Sequence, residues 1–95
     1  MQFSFKVGER ERHRVEFSFN QMWGNLKITV DGEPVFRDLR TFSLSLVKRY
    51  ELTVGDEEEH EVVIEHERKL LLAGLRPQKY RVYVDGVLVL ERVGF

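Results

Sequence analysis

The sequence predicts an all-β fold, an antiparallel β-sandwich or flattened barrel of about eight short strands. Three observations support this prediction. Apolar and polar residues alternate along most of the 95-residue chain, Asp-Gly pairs separate alternating runs, and stretches of helix-forming residues are short. Strict alternation is typical of antiparallel strands with one buried and one solvated face. We expect two such sheets to pack together, because each alone would leave an apolar face in water.

Two blocks of sequence occur twice in the same order. FSFKVGERERHRVEF at 3–17 is similar to YELTVGDEEEHEVVI at 50–64, at a constant offset of 47 residues. KITVDGEPVF at 27–36 is similar to RVYVDGVLVL at 81–90, at an offset of 54. Such ordered self-similarity predicts an internal duplication of one β-meander unit, with seven additional residues between the blocks of the second copy.

The repeated blocks define two units, at about residues 3–37 and 50–91. Because domains commonly have about 50–200 residues, we expect both units to lie in one β-sandwich domain over residues 1–95.

The first unit begins with three alternating runs, which predict three strands. Their apolar positions are Phe3, Phe5, Val7, Val15, Phe17, Phe19, Leu26, Ile28 and Val30. A charged turn led by Gly8 separates the first two runs. The third run leads into Asp31-Gly32, which predicts a hairpin because a type I′ turn needs positive φ at both central residues.

Another strand is predicted between the units, where Phe42, Leu44 and Leu46 alternate with serines. In the second unit, Asp85-Gly86 predicts a hairpin like that of the first. The window 65–77 is ambiguous, since it fits either one helical turn or a long strand with a bulge. We expect a strand, because Gly74 and Pro77 would cut a helix short.

Composition excludes several classes of protein. Hydrophobic residues make up 42% and charged residues 33%, with a net charge of −1, and this balance argues against a protein that coats nucleic acid. The absence of cysteine excludes disulfides, thiolate metal sites and a cysteine nucleophile. No run of 18 apolar residues is present, so we expect no membrane partner. We expect no signal peptide and a cytoplasmic location. Abundant Arg and Glu with few Asn and Gln is typical of a heat-adapted protein.

The histidines are the first candidates for chemistry. His13 and His60 occupy equivalent positions in the two units, which favours a structural role such as closing a turn with the ring nitrogens. His60 and His66 lie on one strand face but six residues apart, roughly 20 Å along a strand, so one metal ion cannot bind both. The acidic run at 56–61 lacks the ligand spacing of a calcium loop. We therefore predict no metal, no cofactor and no catalytic residue, and expect the chain not to be an enzyme.

Exposed apolar residues are candidates for an interface. Trp23 either anchors a partner or caps the open end of the sandwich. The leucines between positions 70 and 75 include three in a row, which would point to both faces of a strand. Those on one face therefore lie outside the core between the sheets. They then pack under a loop or form a subunit interface, and we expect the interface. The candidate interface residues are Trp23, Leu70, Leu71, Leu72 and Leu75.

The first turn of each repeat unit has a different charge. Its sequence is ERERHR at 9–14 in the first unit and DEEEHE at 56–61 in the second. We hypothesise that the cations of one copy face the carboxylates of a neighbouring molecule and steer self-association. The residues concerned are Arg10, Arg12, Arg14, Glu57, Glu59 and Glu61.

A series of strand and turn motifs runs through residues 13–90. It comprises a His-x-hydrophobic-Glu-Phe strand, a Val-Asp-Gly hairpin and a Phe-led strand ending in a Val-Gly turn. The residues are His13, Glu16, Phe17, Val30, Asp31, Gly32, Phe42, Val54 and Gly55. This series resembles one domain of the Fas apoptotic inhibitory molecule family. The resemblance implies an antiparallel β-sandwich. That family has a non-enzymatic, protein-interaction role in suppressing cell death and protecting against aggregation, but its members usually hold two such domains, so we carry over only the fold.

The sequence therefore predicts a non-enzymatic protein-interaction or structural module whose partner is another protein or a second copy, giving a homodimer. The alternative is a sandwich that binds a carbohydrate or other small molecule through exposed aromatic rings, for which Trp23, Tyr80 and Tyr83 are the candidates.

Overall fold

A computed structural model describes residues 1–20, 25–35, 39–44, 47–67 and 78–94. In these segments the chain forms nine strands and no helix. The strands make two antiparallel sheets, one of four strands and one of five, packed as a β-sandwich. The predicted fold class is confirmed.

The first sheet has the order β1-β2-β3-β4, so consecutive strands are neighbours. The strands are β1 (Gln2–Val7), β2 (His13–Asn20), β3 (Asn25–Val30) and β4 (Glu33–Pro34). Phe17 lies opposite both Phe3 and Ile28. This register places the apolar positions of the alternating runs on one face, as predicted.

The second sheet has the order β5-β6-β7-β8-β9. The strands are β5 (Arg40–Leu44), β6 (Val47–Val54), β7 (His60–Glu67), β8 (Gln78–Val84) and β9 (Val87–Gly94). β5 confirms the strand predicted around Phe42, and β7 extends the second unit as a strand to Glu67. The remainder of the ambiguous window, 68–77, lies outside the described residues.

Strand pairing in the two sheets follows the offsets of the sequence repeat. Val7 pairs with His13, as Val54 pairs with His60. In the next pair of strands, the partner of Val15 is Val30, and the equivalent residues Val62 and Val84 are also partners. Among the described strands, β5 is an addition to the second sheet without a counterpart in the first. That the two units arose by duplication stays a prediction.

Both hairpins have the backbone that the Asp-Gly pairs predict. Asp31 and Gly32 have φ of 52° and 83°, and Asp85 and Gly86 have φ of 50° and 81°. These values fit a type I′ turn, whose twist matches that of the flanking strands.

The core lies between the two sheets. Phe17 of the first sheet lies 5.4 Å from Tyr80 and 6.2 Å from Tyr50 of the second, measured between ring centroids. Phe3 lies 5.9 Å from Tyr80. The buried apolar side chains are Phe3, Val7, Val15, Phe17, Ile28, Tyr50, Leu52, Val54, Val62, Ile64, Tyr80 and Val82. The apolar faces of the two sheets therefore cover each other.

Candidate functional site

Two charged turns meet at one end of the sandwich. The first joins β1 to β2 and the second joins β6 to β7. The carboxylate of Glu11 in the first turn accepts hydrogen bonds from three backbone N–H groups of the second. These belong to Asp56, Glu57 and Glu58, at 2.7, 2.9 and 3.2 Å. A single side chain thus holds the whole opposite turn.

The second turn binds the first in the same way. The carboxylate of Glu58 accepts hydrogen bonds from the N–H groups of Glu9, Arg10 and Glu11, at 3.0, 3.3 and 3.3 Å. Glu58 and Glu11 are equivalent positions in the sequence repeat. We call these reciprocal Glu11 and Glu58 contacts the clasp. Successive N–H groups that point at one carboxylate form an anion-binding concavity.

The clasp lowers the pKa of both carboxyl groups. Hydrogen bonds from the Asp56 amide, from His13 and from the other amides of the turn lower the pKa of Glu11 to about 2. For Glu58, desolvation is the largest single influence and raises the pKa. The opposing interactions, led by the hydrogen bond from the Glu9 amide and then by the contact with His60, together outweigh desolvation, so the pKa of Glu58 is lowered. Both groups are therefore ionised at neutral pH.

His13 links the clasp to the first hairpin. Its Nε2 lies 2.6 Å from Oε1 of Glu11 and its Nδ1 lies 2.5 Å from Oδ2 of Asp31. The other oxygen of Asp31 accepts a hydrogen bond of 2.8 Å from the Arg14 amide. Hydrogen bonds to Asp31 and then to Glu11 raise the pKa of His13 above its usual 6.5.

His60 occupies the equivalent position in the second unit. Its Nδ1 lies 2.6 Å from Asp85, and its Nε2 lies 3.4 Å from Glu58, an ion-pair distance without an aligned hydrogen bond. Asp85 also accepts a 2.9 Å hydrogen bond from the Glu61 amide. The contacts to Asp85 and Glu58 raise the pKa of His60. The contacts of His13 fit the predicted role of closing a turn with the ring nitrogens, and His60 makes one such hydrogen bond, through Nδ1.

A polar pair lies in the core, which the sequence analysis missed. His66 of β7 is fully buried, and its Nε2 is hydrogen-bonded to the side-chain oxygen of Gln78. The imidazole stacks on Tyr80 at 4.5 Å and meets the edge of Phe19 at 4.7 Å. The signal was present in the sequence, because His66 has the same parity in its strand as the buried Val62 and falls where the first unit has Phe19.

We expect Gln78→Leu to destabilise the fold by about 1–3 kcal/mol, because it removes the partner of a buried imidazole nitrogen. Combining it with His66→Phe replaces both polar groups by apolar ones, so the double variant is expected to be more stable than Gln78→Leu alone. Urea denaturation of both variants and the wild type measures this. Additive losses would contradict the coupling of the pair.

A cleft of about 1220 Å³ lies between the β3–β4 hairpin and β6. Six carboxylates line it with His13 and Arg40: Asp31, Glu33, Glu51, Asp56, Glu59 and Glu61. Within the described segments, no group of three or more His, Asp and Glu side chains is arranged to hold a metal ion. The cleft is an acidic groove, and nothing in its geometry identifies a ligand.

Strand β9 carries most of the exposed apolar side chains of the described residues. Val87, Leu88, Val89 and Val93 are 63, 48, 51 and 61% exposed, and we call them the β9 patch. Among the described strands, β9 pairs with β8 alone and lies at an edge of the sheet. A register shift opposite Val82 and Tyr83 breaks the alternation here. The sequence analysis missed the patch because nothing in the pattern of residues 87–94 shows where a register shift falls.

The residues predicted for an interface, Trp23, Leu70, Leu71, Leu72 and Leu75, lie outside the described residues. The charged residues of the self-association hypothesis are described, and all six are exposed. Of these, Arg14 pairs with Glu16 at 3.2 Å. In the described part of the chain, Glu57, Glu59 and Glu61 take part in no ion pair.

Comparison with known proteins gives no match to a family model, to a curated protein or to a solved structure. The resemblance to the Fas apoptotic inhibitory molecule family stays a prediction. Over the described residues, no helix has the length and apolar character needed to cross a bilayer.

Proposed function

We propose that this chain is a non-enzymatic protein-interaction module that forms a homodimer through the β9 patch. The observation that carries the proposal is β9 itself, an eight-residue edge strand with four large apolar side chains in solvent. Scattered apolar residues are normal on a surface, but three consecutive exposed ones on an edge strand favour an interface or aggregation.

Both edges of the first sheet are less suited to pairing. β4 has only two residues, and one of them is Pro34, which has no N–H to donate. β1 carries the exposed Lys6, a charge that discourages edge-to-edge association. β9 lacks both protections over its first four residues, Val87 to Leu90.

Charge supports a second copy as the partner. The exposed arginines at positions 10, 12 and 14 and the exposed glutamates at 57, 59 and 61 provide surfaces of opposite sign on one molecule. In a two-fold dimer each surface of one molecule can face the opposite surface of its partner. The net charge of −1 adds little repulsion between copies.

One of the three aromatic residues predicted for the carbohydrate-binding alternative is buried. Tyr80 is 1% exposed, so the prediction of this side chain as a surface stacking ring is wrong. Burial, and next the neighbouring Tyr50, raise its pKa to about 12. Tyr83 is half-buried and Trp23 lies outside the described residues. The dimer is therefore the better-supported proposal, and the cytoplasmic location stays a prediction.

We expect Leu88→Asp to weaken the dimer at least about thirtyfold, because a desolvated carboxylate at the centre of an interface costs about 2 kcal/mol or more. Sedimentation velocity over a range of concentrations measures the dissociation constant. Phe42→Asp is the matched control, since Phe42 is 45% exposed on β5 at the opposite edge of the same sheet. Wild-type protein that stays monomeric throughout, or equal effects of the two variants, would contradict the proposal.

A second arm of the experiment tests the identity of the partner. Arg12→Glu is expected to weaken the dimer at low salt, and Arg12→Glu combined with Glu59→Arg is expected to restore it. High salt should reduce both effects, because exposed charges are screened. A dimer indifferent to Arg12→Glu and to salt would show that these charges do not face each other between copies.

A further inference from the structure

We propose that the clasp is a proton-operated latch: the two turns hold each other firmly only while His13 carries a proton on both ring nitrogens, and protonated His60 adds its ion pair with Glu58. This inference concerns the end of the sandwich and does not depend on the β9 patch. The contacts that carry it are those of the imidazole rings with Glu11, Asp31, Glu58 and Asp85.

The proton count follows from what each group can donate. An ionised carboxylate is only an acceptor, and a neutral imidazole has a single N–H. Both nitrogens of His13 lie within 2.6 Å of a carboxylate oxygen. One N–H cannot serve both contacts, so the observed geometry requires the imidazolium. Loss of a proton leaves a nitrogen lone pair facing the lone pairs of a carboxylate, and the contact becomes repulsive.

The same oxygen connects the histidine to the clasp. Oε1 of Glu11 contacts His13 Nε2 and also accepts the 2.7 Å hydrogen bond from the Asp56 amide. A carboxylate that moves away from a neutral His13 therefore also moves away from the opposite turn. In the second unit, Glu58 contacts His60 at 3.4 Å and accepts the Glu9 amide with the same oxygen. Because the His60–Glu58 distance is longer, we expect His13 to affect the hydrogen bonds of Glu11 more strongly than His60 affects those of Glu58.

The groups that face each histidine are almost all acidic. His13 faces Glu11 of its own turn and Asp31 of the first hairpin. It also lines the cleft that holds Glu33, Asp56, Glu59 and Glu61, where Arg40 is the one arginine among the lining residues that the structure describes. His60 faces Glu58 and Asp85. The surrounding negative charge therefore favours the protonated form of both rings.

The direction of the pH dependence follows from the raised histidine pKa values. In the unfolded chain these groups titrate near 6.5, and in the folded chain they titrate higher. Their contribution to stability is complete below pH 6.5 and is lost as the pH rises through the folded-state pKa. Glu11 and Glu58 have lowered pKa values, so their contribution to stability is present at neutral pH and is lost as the pH falls into the acid range. The latch is therefore closed in weakly acidic solution and opens as the pH rises.

An NMR titration of the full chain tests the latch directly. We expect the Hε1 signals of His13 and His60 to titrate above pH 6.5. The amide signals of Asp56 and Glu57 are expected to shift with the same midpoint as His13, because Glu11 connects them. In His13→Gln, which keeps a donor but cannot titrate, these two amides are expected to lose that transition. Amides that still titrate in this variant would overturn the coupling.

Unfolding measured against pH gives the second readout. We expect wild type to have a lower denaturation midpoint at pH 9 than at pH 6, and the double variant His13→Gln and His60→Gln to lose most of this difference. Glu33→Gln is the matched control, since Glu33 lines the same cleft without touching either histidine. Histidine pKa values at or below 6.5, or an unchanged pH difference in the double variant, would overturn the latch.

Discussion

Phe17→Ala is expected to lower the free energy of unfolding by about 3–5 kcal/mol, the loss typical of a fully buried phenylalanine. Phe17 is 0% exposed. Its ring stacks on Phe3 at 4.8 Å within its own sheet and contacts Tyr50 and Tyr80 of the other. The truncation therefore leaves a cavity at the point where the two sheets meet. Guanidinium denaturation at constant pH measures the loss, which is a large part of the 5–15 kcal/mol that usually stabilises a domain.

The control for this prediction is Phe42→Ala, which removes the same atoms from a side chain that is 45% exposed on β5. We expect a much smaller loss, because substitutions on the surface usually change stability by about 0.5 kcal/mol or less. Similar losses at the two positions would mean that Phe17 does not lie between packed sheets. The β-sandwich would then be the wrong architecture.

The second large effect is expected for Gly8→Ala, at the start of the first turn. Gly8 has φ of 100°, and a Cβ at this position would lie 2.0 Å from the Glu11 carbonyl oxygen and 2.8 Å from the Glu58 carboxylate. The first atom belongs to the backbone of the turn and the second to the clasp. The turn must therefore rebuild, and we expect a loss above the roughly 1–2 kcal/mol that a left-handed backbone costs an alanine.

Gly32→Ala separates the cost of the left-handed backbone from the cost of the steric clash. Gly32 also has a positive φ, 83°, but a Cβ there would meet no atom within 4 Å. This variant is expected to lose only the conformational contribution, so it should be clearly more stable than Gly8→Ala when both are measured by thermal unfolding at pH 6. Equal losses would show that the close approach of the two turns does not constrain Gly8.

Local pattern was sufficient to predict the strands and hairpins. The alternation of Phe3, Phe5 and Val7 with polar residues assigns one face to the core, because side chains alternate across a strand. The two Asp-Gly pairs predicted their turns because few other residues tolerate positive φ. His66 was predictable on the same grounds, since its parity places it on the buried face of β7.

The clasp could not be predicted from the turns themselves. The sequence shows that Glu11 and Glu58 are equivalent, and the charged turns read as solvated loops. Their carboxylates find partners 45 to 49 residues away in the chain. Such a contact depends on how the sheets are stacked, which the alternation does not specify. The histidines were predicted as structural, but the carboxylates beside each ring were not.

The sequence by itself determined which residues form strands, which face of each strand is apolar and where the chain reverses, because these properties depend on neighbours a few residues apart. Only the tertiary structure decided that the two turns bind each other and that the start of β9 leaves successive apolar side chains in solvent. The first depends on the relative placement of two sheets, and the second on the register shift opposite Val82 and Tyr83. The first is set by packing between distant segments and the second by the pairing of two adjacent strands, and neither leaves a periodic signal in the sequence.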